Sequence, residues 1–520
     1  MSVREEGSAK ETTEWNAQEK STDEAPDWER IRDARRHSVG AGDVAAAFIA
    51  RLDPEITNKP IEPAEARKVL WKIDLIILPM LAFTVIIGAV DKVSISNAAI
   101  YGMTTDTHLK PNEYSWLGSI LYFGYLLFEM PAAWIIQRFP VGKFMAFTVC
   151  GWGILMMCTA AAQNFAGLVT IRFIMGMLEA VVFPVSAIFT VMWWKRREQP
   201  LRLACWQNQF SSIVNGVISY GIGHAKVSLA PWRMMFLIMG AISLVWGIFL
   251  FFFLPDSPTT CWYLSERERF ICVERVKTND TGIEDKTTKW YQVRECLQDP
   301  KTWLLAVFAC AQNTCNGGLV TFAAIIVKGL GYSTFKTILL GMPTGVVATG
   351  WQFVLAFVCS RVPNSRCATI AFGNIFPIIC AVLMWKLPRE EKTALLASYY
   401  AFYSYWAPYT LSNSLPMANV SGHTKKVTMN GIFFLSYCVG NIIGPQVFRA
   451  NDAPNYSRGY QGMLSVIAVA TAAILGYAGL CILENRRRDA AQRNAPRASV
   501  DLTAFSDRTD KEKRSFRYSY

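Results

Sequence analysis

Five ionisable side chains stand inside or at the edge of long apolar blocks, where charge is costly. They are Asp74, Asp91, Glu129, Arg172 and Glu179. An ionisable group near the centre of a bilayer costs about 2.5–3.5 kcal/mol on insertion scales, so such residues face a cavity or a partner. Asp74 lies near Lys72 at the start of its block, and we interpret it as a membrane-edge residue. The other four are the first candidates for binding and proton transfer.

Arg172 and Glu179 are seven residues apart, which places them on one face of a helix and about 10 Å apart along its axis. Gly176 lies between them on that face and allows another group to approach closely. The blocks that carry Asp91 and Arg172 run in opposite directions, so the sequence favours an Asp91–Arg172 contact. Glu179 is then predicted to be a separate carboxyl group near the membrane midplane.

Two roles for these charged residues stay open from the residues alone. A carboxyl group that is removed from water can exchange protons near neutral pH, which is the chemistry of a proton-coupled symporter. Arg172, paired with a carboxylate that can be neutralised, suits the binding of an anionic substrate. The alternative is a structural salt bridge that locks helices together.

Neutral polar residues also interrupt the apolar blocks, and a dense aromatic run marks the tenth block. The candidate substrate contacts among them are Asn208, Asn215, Gln312, Asn316, Tyr403 and Trp406. Polar residues commonly bridge membrane helices instead. Each of these side chains therefore has a structural alternative.

The elements that position these residues are twelve predicted membrane-spanning helices, an all-α integral membrane fold. The chain has 520 residues, of which 52% are hydrophobic and 18% are charged. The apolar residues collect in blocks of about twenty, the length that crosses about 30 Å of hydrocarbon. The predicted spans 1 to 12 are 73–95, 115–137, 144–162, 167–194, 205–224, 233–254, 304–327, 337–359, 367–386, 394–414, 428–448 and 461–483. They form two six-helix bundles, residues 67–254 and 302–485.

Lys and Arg concentrate in the loops that share a side with the N-terminus, which predicts that both termini are cytosolic. Residues 1–66 and 486–520 are predicted to be cytosolic tails. The low apolar content of 1–66 and of 484–520 also predicts disorder.

The central loop, residues 255–301, is predicted to hold a short amphipathic helix along the inner membrane surface. The reason is a capping-box signal, Ser265 followed by Glu268. A plain solvated linker is the alternative. Residues 1–66 show no signal peptide, so span 1 is expected to act as its own insertion signal.

Composition and motifs argue against several other functions. The net charge is +12, but Lys and Arg lie between the apolar blocks and in the tails, so no nucleic-acid partner is expected. The four histidines are far apart, and we expect no metal site and no cofactor. The thirteen cysteines fall in spans or cytosolic loops, where a disulfide framework is not expected. No nucleophile–base motif or phosphate loop occurs outside the spans, so we do not expect an enzyme.

Stretches along residues 67–485 match, in consistent order, the motifs of one known family. They include VDKVSISNAAI in span 1, FEMPAAWIIQRF in span 2, QNFAGLVTIRFIMGMLEAVVFP in span 4, and ANVSGHTKK with VGNIIGPQVF around span 11. In these stretches the chain resembles the anion:cation symporter family of the major facilitator superfamily, and within it the fungal allantoate permease group.

The resemblance implies the major facilitator fold, with two six-helix domains around a central cavity, and alternating access. It also implies coupling and recognition at Asp91 with Lys92 and at Arg172 with Glu179. Lys92 stands where the family usually has Arg, and it cannot offer a bidentate fork to a carboxylate. Gln137 stands where an acid is usual in the loop between spans 2 and 3, which removes one gating contact. Nearby, Glu129 and Arg138 are predicted gating or structural residues.

The leading hypothesis is a plasma-membrane importer that couples protons to a small carboxylate such as allantoate, a ureido acid, nicotinate or pantothenate. We expect it to work as a monomer in the lipid bilayer. One alternative is an exporter of a secondary metabolite from a fungal biosynthetic cluster. Another is a nutrient transceptor that signals through its tails. Measuring the direction of transport distinguishes the exporter from the importer. Deleting the tails distinguishes the transceptor from a simple importer.

Overall fold

The structure is a computed structural model, and its regular elements are helices. It describes residues 48–49, 51–110, 112–136, 138–195, 198–277, 289–362, 364–448, 452, 455–493, 508–513 and 516–520. Most of the predicted disordered N-terminal tail and residues 494–507 lie outside the described residues, and so does Gln137. Within the described ranges no β-strand occurs.

In the described part of the chain, twelve helical segments follow one another at the predicted positions. Ten of them are helices long and apolar enough to cross a bilayer: Pro63–Ile100, Glu113–Ile136, Val141–Thr159, Phe165–Trp193, Pro231–Phe253, Pro300–Gly329, Thr334–Arg361, Arg366–Lys386, His423–Val447 and Ser457–Gln492. The other two, spans 5 and 10, are divided into helices that are each too short to cross a bilayer. Span 5 consists of Gln199–Trp206 and Ser211–Gly223, and span 10 of Lys392–Phe402, Trp406–Ser412 and Ser414–Asn419.

Spans 4 and 10 are both broken at positions that carry predicted site residues. In span 4, one helix ends at Glu179 and the next begins at Val182. In span 10, a 3₁₀ turn covers Tyr403–Tyr405. A 3₁₀ stretch within a helix often marks a hinge or strain. The breaks therefore place Glu179 and Tyr403 at the ends of helical segments.

Local signals explain where several helices begin. The Asn164 side chain accepts a hydrogen bond from the Gly167 N–H at 2.9 Å and caps span 4. Asp299 accepts from the Lys301 N–H at 3.1 Å, and Pro300 occupies the first turn of span 7. These caps satisfy backbone donors that have no partner inside the helix.

Small residues bring pairs of spans into backbone contact, as is common in membranes. A Cβ atom at Gly176 would overlap the Leu121 backbone, so span 2 packs directly on the face of span 4 that carries Arg172 and Glu179. A Cβ at Gly444 of span 11 would lie 2.6 Å from the Gly318 nitrogen of span 7. Glycine is required at both positions because any side chain would push the helices apart.

The chain divides into two compact units. One contains residues 1–69 and 257–274, and the other contains 70–256 and 275–520. In the first unit, Arg267 binds the Glu65 carboxylate with two hydrogen bonds of 3.1 and 3.3 Å. The second unit holds the candidate site.

A helix in the central loop covers Glu266–Lys277. It begins at the capping box: the Ser265 N–H donates to Glu268 Oε2 at 3.0 Å, and the Glu268 N–H donates to Ser265 Oγ at 3.3 Å. A second short helix, Trp290–Gln298, precedes span 7. That the first helix lies on the membrane surface stays a prediction.

The prediction of disorder for 484–520 is wrong for the residues that the structure describes there. Span 12 continues as a helix to Arg493. Residues 508–513 and 516–520 pack against the C-terminal six-helix bundle, and Tyr518 joins its core with 2% of its surface exposed. Composition missed this contact because a few buried side chains can anchor a segment that is polar on average.

Candidate functional site

Four charged residues of spans 1 and 4 form two ion pairs inside the N-terminal bundle. Arg172 Nη1 lies 3.2 Å from Asp91 Oδ2, and Lys92 Nζ lies 3.1 Å from Glu179 Oε1. Asp91, Arg172 and Glu179 are buried, whereas the Lys92 side chain is 20% exposed. We call these four residues the charged quartet.

The expected Asp91–Arg172 contact is present, but the prediction that Glu179 stands apart is wrong. Helix geometry gives the reason. The side chains of consecutive residues on a helix point about 100° apart, so Asp91 and Lys92 contact different parts of the face of span 4. The long Lys92 side chain then reaches Glu179. Gly88, one turn earlier, leaves room, because a Cβ there would lie 3.3 Å from Glu179 Oε1.

Each pair keeps unused hydrogen-bonding capacity. Asp91 Oδ1, Arg172 Nη2 and Glu179 Oε2 are buried and have no hydrogen-bond partner among the described residues. Buried polar atoms are usually paired, and an unpaired one calls for an explanation. A free guanidinium N–H suits an incoming carboxylate, and a free carboxylate oxygen can take a proton.

Aromatic rings connect the quartet with the C-terminal bundle. Lys92 Nζ lies 5.1 Å from the centroid of the Tyr125 ring, within the range of a cation–π contact. From there the rings follow in the order Tyr125, Tyr122, Tyr437, Tyr409 and Trp406, with successive centroids 5.4–5.9 Å apart. The contact between Tyr122 and Tyr437 joins the two bundles.

The C-terminal bundle carries a neutral network in place of charges. The Tyr405 hydroxyl donates to Asn316 Oδ1 at 2.8 Å, and Asn316 Nδ2 donates to Asn441 Oδ1 at 2.7 Å. Gln312 Nε2 donates to the Tyr405 carbonyl at 2.7 Å and to Asn374 Oδ1 at 3.2 Å. These bonds link spans 7, 9, 10 and 11 and fix the orientation of each amide. We call these residues the amide network.

The other predicted substrate contacts lie in different surroundings. Asn208 bonds to the backbone of Cys205 and Phe210, and so it closes the break in span 5. Asn215 Oδ1 accepts from Ser94 of span 1 at 3.2 Å, and its Nδ2 has no partner in the part of the chain that the structure describes. The substrate role of both residues stays a prediction.

The two candidates of span 10 have different neighbours. The Tyr403 hydroxyl lies 3.2 Å from that of Tyr399. The buried Nε1 of Trp406 has no described partner, and its ring packs on Tyr409. Trp406 therefore keeps a donor that a ligand can use.

The residues predicted to act in gating or at the membrane edge are not part of the quartet. Glu129 keeps one buried carboxylate oxygen that is unpaired within the described ranges. Arg138 is exposed and stacks on the Trp134 ring at 3.8 Å. Asp74 binds Arg202 at 2.5 Å and the Trp194 indole at 2.6 Å, so it joins span 1 to the first helix of span 5 and to the residue that follows span 4.

Sequence reasoning missed four residues around these clusters: Tyr125, Tyr405, Tyr437 and Asn441. Asn441 is a polar residue inside the VGNIIGPQVF motif, which was a usable signal. Tyr405 belongs to the aromatic run of span 10, but which member of that run meets Asn316 depends on the 3₁₀ turn. Tyr125 and Tyr437 have no signal in the sequence, since tyrosines are common in membrane helices.

The two bundles are in contact at the end of the spans opposite to Arg493, which we call the distal end. The Tyr114 hydroxyl of span 2 donates to the Thr321 carbonyl of span 7 at 2.6 Å. The Ala324 N–H donates to Ser96 Oγ of span 1 at 2.8 Å. These bonds close the distal end of the structure.

Similarity to known proteins agrees with this fold. The model of the Major Facilitator Superfamily matches residues 80–445. The chain is 36% identical to the MFS-type transporter cnsL of Penicillium expansum, over 94% of this chain and 96% of that protein. It is 33% identical to the allantoate permease of Saccharomyces cerevisiae, over 90% of this chain and 89% of that protein.

A solved structure shares the architecture at low identity. It is a bacterial homologue of the human lysosomal transporter Spinster in an inward-facing, unoccupied conformation. The TM-score is 0.59 at 15% identity, covering 81% of this chain and 97% of that chain. The helical segments of the described residues and this shared architecture define a multi-pass membrane fold. The chain belongs to the major facilitator superfamily, whose members carry small molecules across membranes.

Proposed function

We propose that this transporter takes up a small organic anion together with protons, in the plasma membrane and with both termini in the cytosol. The observation that carries the proposal is the charged quartet, with its unused guanidinium donor and two unused carboxylate oxygens. The distribution of Lys and Arg supports the orientation. The similarity to an allantoate permease supports an anionic substrate.

In this proposal Arg172 and Lys92 hold the substrate carboxylate. An anion beside them competes with Asp91 and Glu179 for the same cations. A carboxylate that loses its cation in a low-dielectric site takes up a proton, so anion binding and protonation favour each other. Coupling follows from this competition, and it requires both ion pairs to be breakable.

The amide network and Trp406 provide the opposite wall of the binding region. Asn316 and Gln312 fix span 7 against span 10, and the free Trp406 indole N–H offers a neutral donor. With the termini in the cytosol, the closed distal end faces outward. Uptake then requires that the contacts of Tyr114 and Ser96 with span 7 open and close in each cycle.

The test is uptake in a yeast strain that lacks its own anion permeases. Labelled allantoate, nicotinate and pantothenate are supplied separately at pH 5 and pH 7.5, with and without a protonophore. We expect one acid to enter at pH 5 and its uptake to collapse with the protonophore. Glu179→Gln should abolish this uptake, because an amide can accept from Lys92 but cannot carry a proton.

The matched control is Glu390→Gln, the same change at an exposed carboxylate. It should leave uptake unchanged. Efflux of a preloaded acid without uptake would reverse the assigned direction and favour the exporter. Uptake that is indifferent to pH, protonophore and Glu179→Gln would refute proton coupling at the quartet.

A further inference from the structure

The segment from Arg508 to Tyr520 binds a specific surface of the C-terminal bundle. We call its described residues, 508–513 and 516–520, the strap. The strap contacts the start of spans 7, 9 and 11, the junction between spans 10 and 11, and the extension of span 12. Thr509, Asp510 and Tyr518 are almost completely buried by these contacts.

An ionic cluster holds the first part of the strap. Lys425 Nζ, at the start of span 11, lies 2.6 Å from Asp510 Oδ1 and 2.8 Å from Glu295 Oε1. Asp510 Oδ2 accepts from the Tyr518 hydroxyl at 2.6 Å. Both oxygens of the Asp510 carboxylate are therefore bonded, which offsets the cost of burying it.

Two asparagine side chains hold the second part by its backbone. Asn485 accepts from the Tyr518 N–H at 2.9 Å and donates to the Tyr518 carbonyl at 2.8 Å. Asn419 pairs in the same way with Ser519, with both bonds 2.7 Å long. Each amide side chain pairs with the N–H and C=O of one strap residue, as a neighbouring β-strand would. This pairing requires an extended strap backbone, and the side chain of residue 519 does not take part in it.

The Tyr518 ring completes the attachment. Lys301 Nζ lies 3.3 Å from its centroid, and Arg488 lies 4.8 Å from it on the extension of span 12. The ring belongs to the same buried cluster as Leu305, Phe308 and Tyr477 of spans 7 and 12. Cation–π contacts and burial of an aromatic ring both strengthen when water is excluded.

Thr509 occupies a position where added negative charge would meet acidic neighbours. Its Oγ1 donates to Glu295 Oε2 at 3.0 Å, and it is fully buried. A phosphate or carboxylate at this position has no proton to donate and would face Glu295 and Asp510 at short range. Like charges at such distances disrupt docking.

We propose that the strap is a detachable lock on the C-terminal bundle, and that negative charge at position 509 releases it. Docked, the strap holds the ends of spans 7, 9, 11 and 12 together, so that this bundle moves as one body. Released, these helix ends loosen while the N-terminal bundle is unaffected. The strap regulates the carrier without touching the charged quartet.

The experiment is hydrogen exchange on the purified full-length protein, which needs no knowledge of the substrate. Peptides covering 508–520, 289–302, 419–426 and 113–136 are followed in wild type, Asp510→Asn, Asn485→Leu, Thr509→Glu, Thr509→Val and Ser519→Ala. In wild type the strap should be protected. Asp510→Asn and Asn485→Leu should each accelerate its exchange about tenfold or more, because each removes charge-assisted or paired hydrogen bonds.

The two Thr509 variants separate charge from the lost hydroxyl bond. Thr509→Glu should release the strap and raise exchange in 289–302 and 419–426, with 113–136 unchanged as the internal reference. Thr509→Val should have the smaller effect, and Ser519→Ala should match wild type because the Asn419 bonds use only backbone. Unprotected strap amides in wild type, or equal protection in Thr509→Glu and Thr509→Val, would overturn the proposal.

Discussion

The molecule contains two buried clusters of ion pairs, which differ in how completely their polar atoms are hydrogen-bonded. In the charged quartet, Asp91 Oδ1, Arg172 Nη2 and Glu179 Oε2 are all unpaired within the described structure. In the cluster around Lys425, both oxygens of Asp510 are bonded and the ammonium has neighbours on three sides. A buried charge with every bond made is difficult to disturb. A buried charge with bonds to spare can exchange partners.

This difference teaches that satisfaction of hydrogen bonds, rather than burial, separates the two roles. The two clusters also lie in different settings. The quartet is inside the membrane-spanning part of the N-terminal bundle, whereas the Lys425 cluster is at the helix ends of the C-terminal bundle. We expect variants of the quartet to change transport and stability together, and variants of the Lys425 cluster to change stability first.

The largest effect is expected for Arg172→Met. The change leaves Asp91 buried without its guanidinium, and breaking a buried pair in this way costs about 3–5 kcal/mol. Uptake should fall to background, and thermal unfolding in detergent should shift to lower temperature. Adding Asp91→Asn to this variant should restore most of the stability but no uptake. Restored uptake in the double variant would remove the quartet from the mechanism.

Lys425→Met should destabilise the protein by a similar amount, about 3–5 kcal/mol, because it leaves Asp510 and Glu295 without their shared cation. Uptake per folded molecule should fall much less than in Arg172→Met. Thermal unfolding and transport normalised to surface protein measure the two effects. The matched control is Lys511→Met, at an exposed lysine 3.7 Å from Asp299, which should destabilise the protein less because Asp299 keeps Lys301 and Lys425 as neighbours.

Asn316→Ala tests the neutral counterpart of the quartet. It leaves the Tyr405 hydroxyl and Asn441 Oδ1 unpaired, which costs about 1–3 kcal/mol. The unfolding temperature should fall by less than in the two charge variants. Gln461→Ala, at an exposed amide of span 12, is the control and should match wild type. A loss as large as that of Arg172→Met would contradict the ranking of charged over neutral contacts.

The smallest effect concerns pH. Burial raises the pKa of Asp510, but the charge of Lys425 and hydrogen bonds from Lys425 and Tyr518 outweigh it and hold the pKa below its ordinary value of 3.8. A depressed pKa adds stability to the docked strap above pH 3.8, and this stability is lost only as the pH falls through that range. Strap protection should therefore be equal at pH 5 and pH 7.5, after correction for intrinsic exchange, while uptake differs between them.

Sequence reasoning located the twelve spans. It named Asp91, Arg172 and Glu179 of the quartet because charges in apolar blocks are conspicuous, and the family resemblance added Lys92. It paired Asp91 with Arg172 correctly from helix direction alone. It failed to pair Glu179 with Lys92, since the reach of a long side chain across two helices depends on their separation. The breaks in spans 5 and 10 were also missed, because the hydropathy of a span does not report its backbone hydrogen bonds.

The strap shows where composition misleads. Its charged residues made the segment look solvated, and its anchors lie far away in sequence, at Lys425, Asn419 and Asn485. Two local signals were present. Thr509 and Glu512 form a capping box, and the aromatic residues of FRYSY alternate as in an extended strand with one buried face. Neither signal says what the segment binds.

The quartet has one more consequence, which concerns the membrane potential. The formal charges of its two carboxylates and two cations add up to zero. A monoanion that enters with one proton leaves this sum at zero, whereas a monoanion alone would bury an uncompensated charge at high cost. Moving one elementary charge across a potential of 100 mV takes about 2.3 kcal/mol. The quartet without substrate moves no net charge when the carrier reorients, so its reorientation involves none of this work. In the proposed proton-coupled cycle the quartet therefore adds no voltage dependence to the return step, and only protons beyond the first would add voltage dependence to uptake through the quartet.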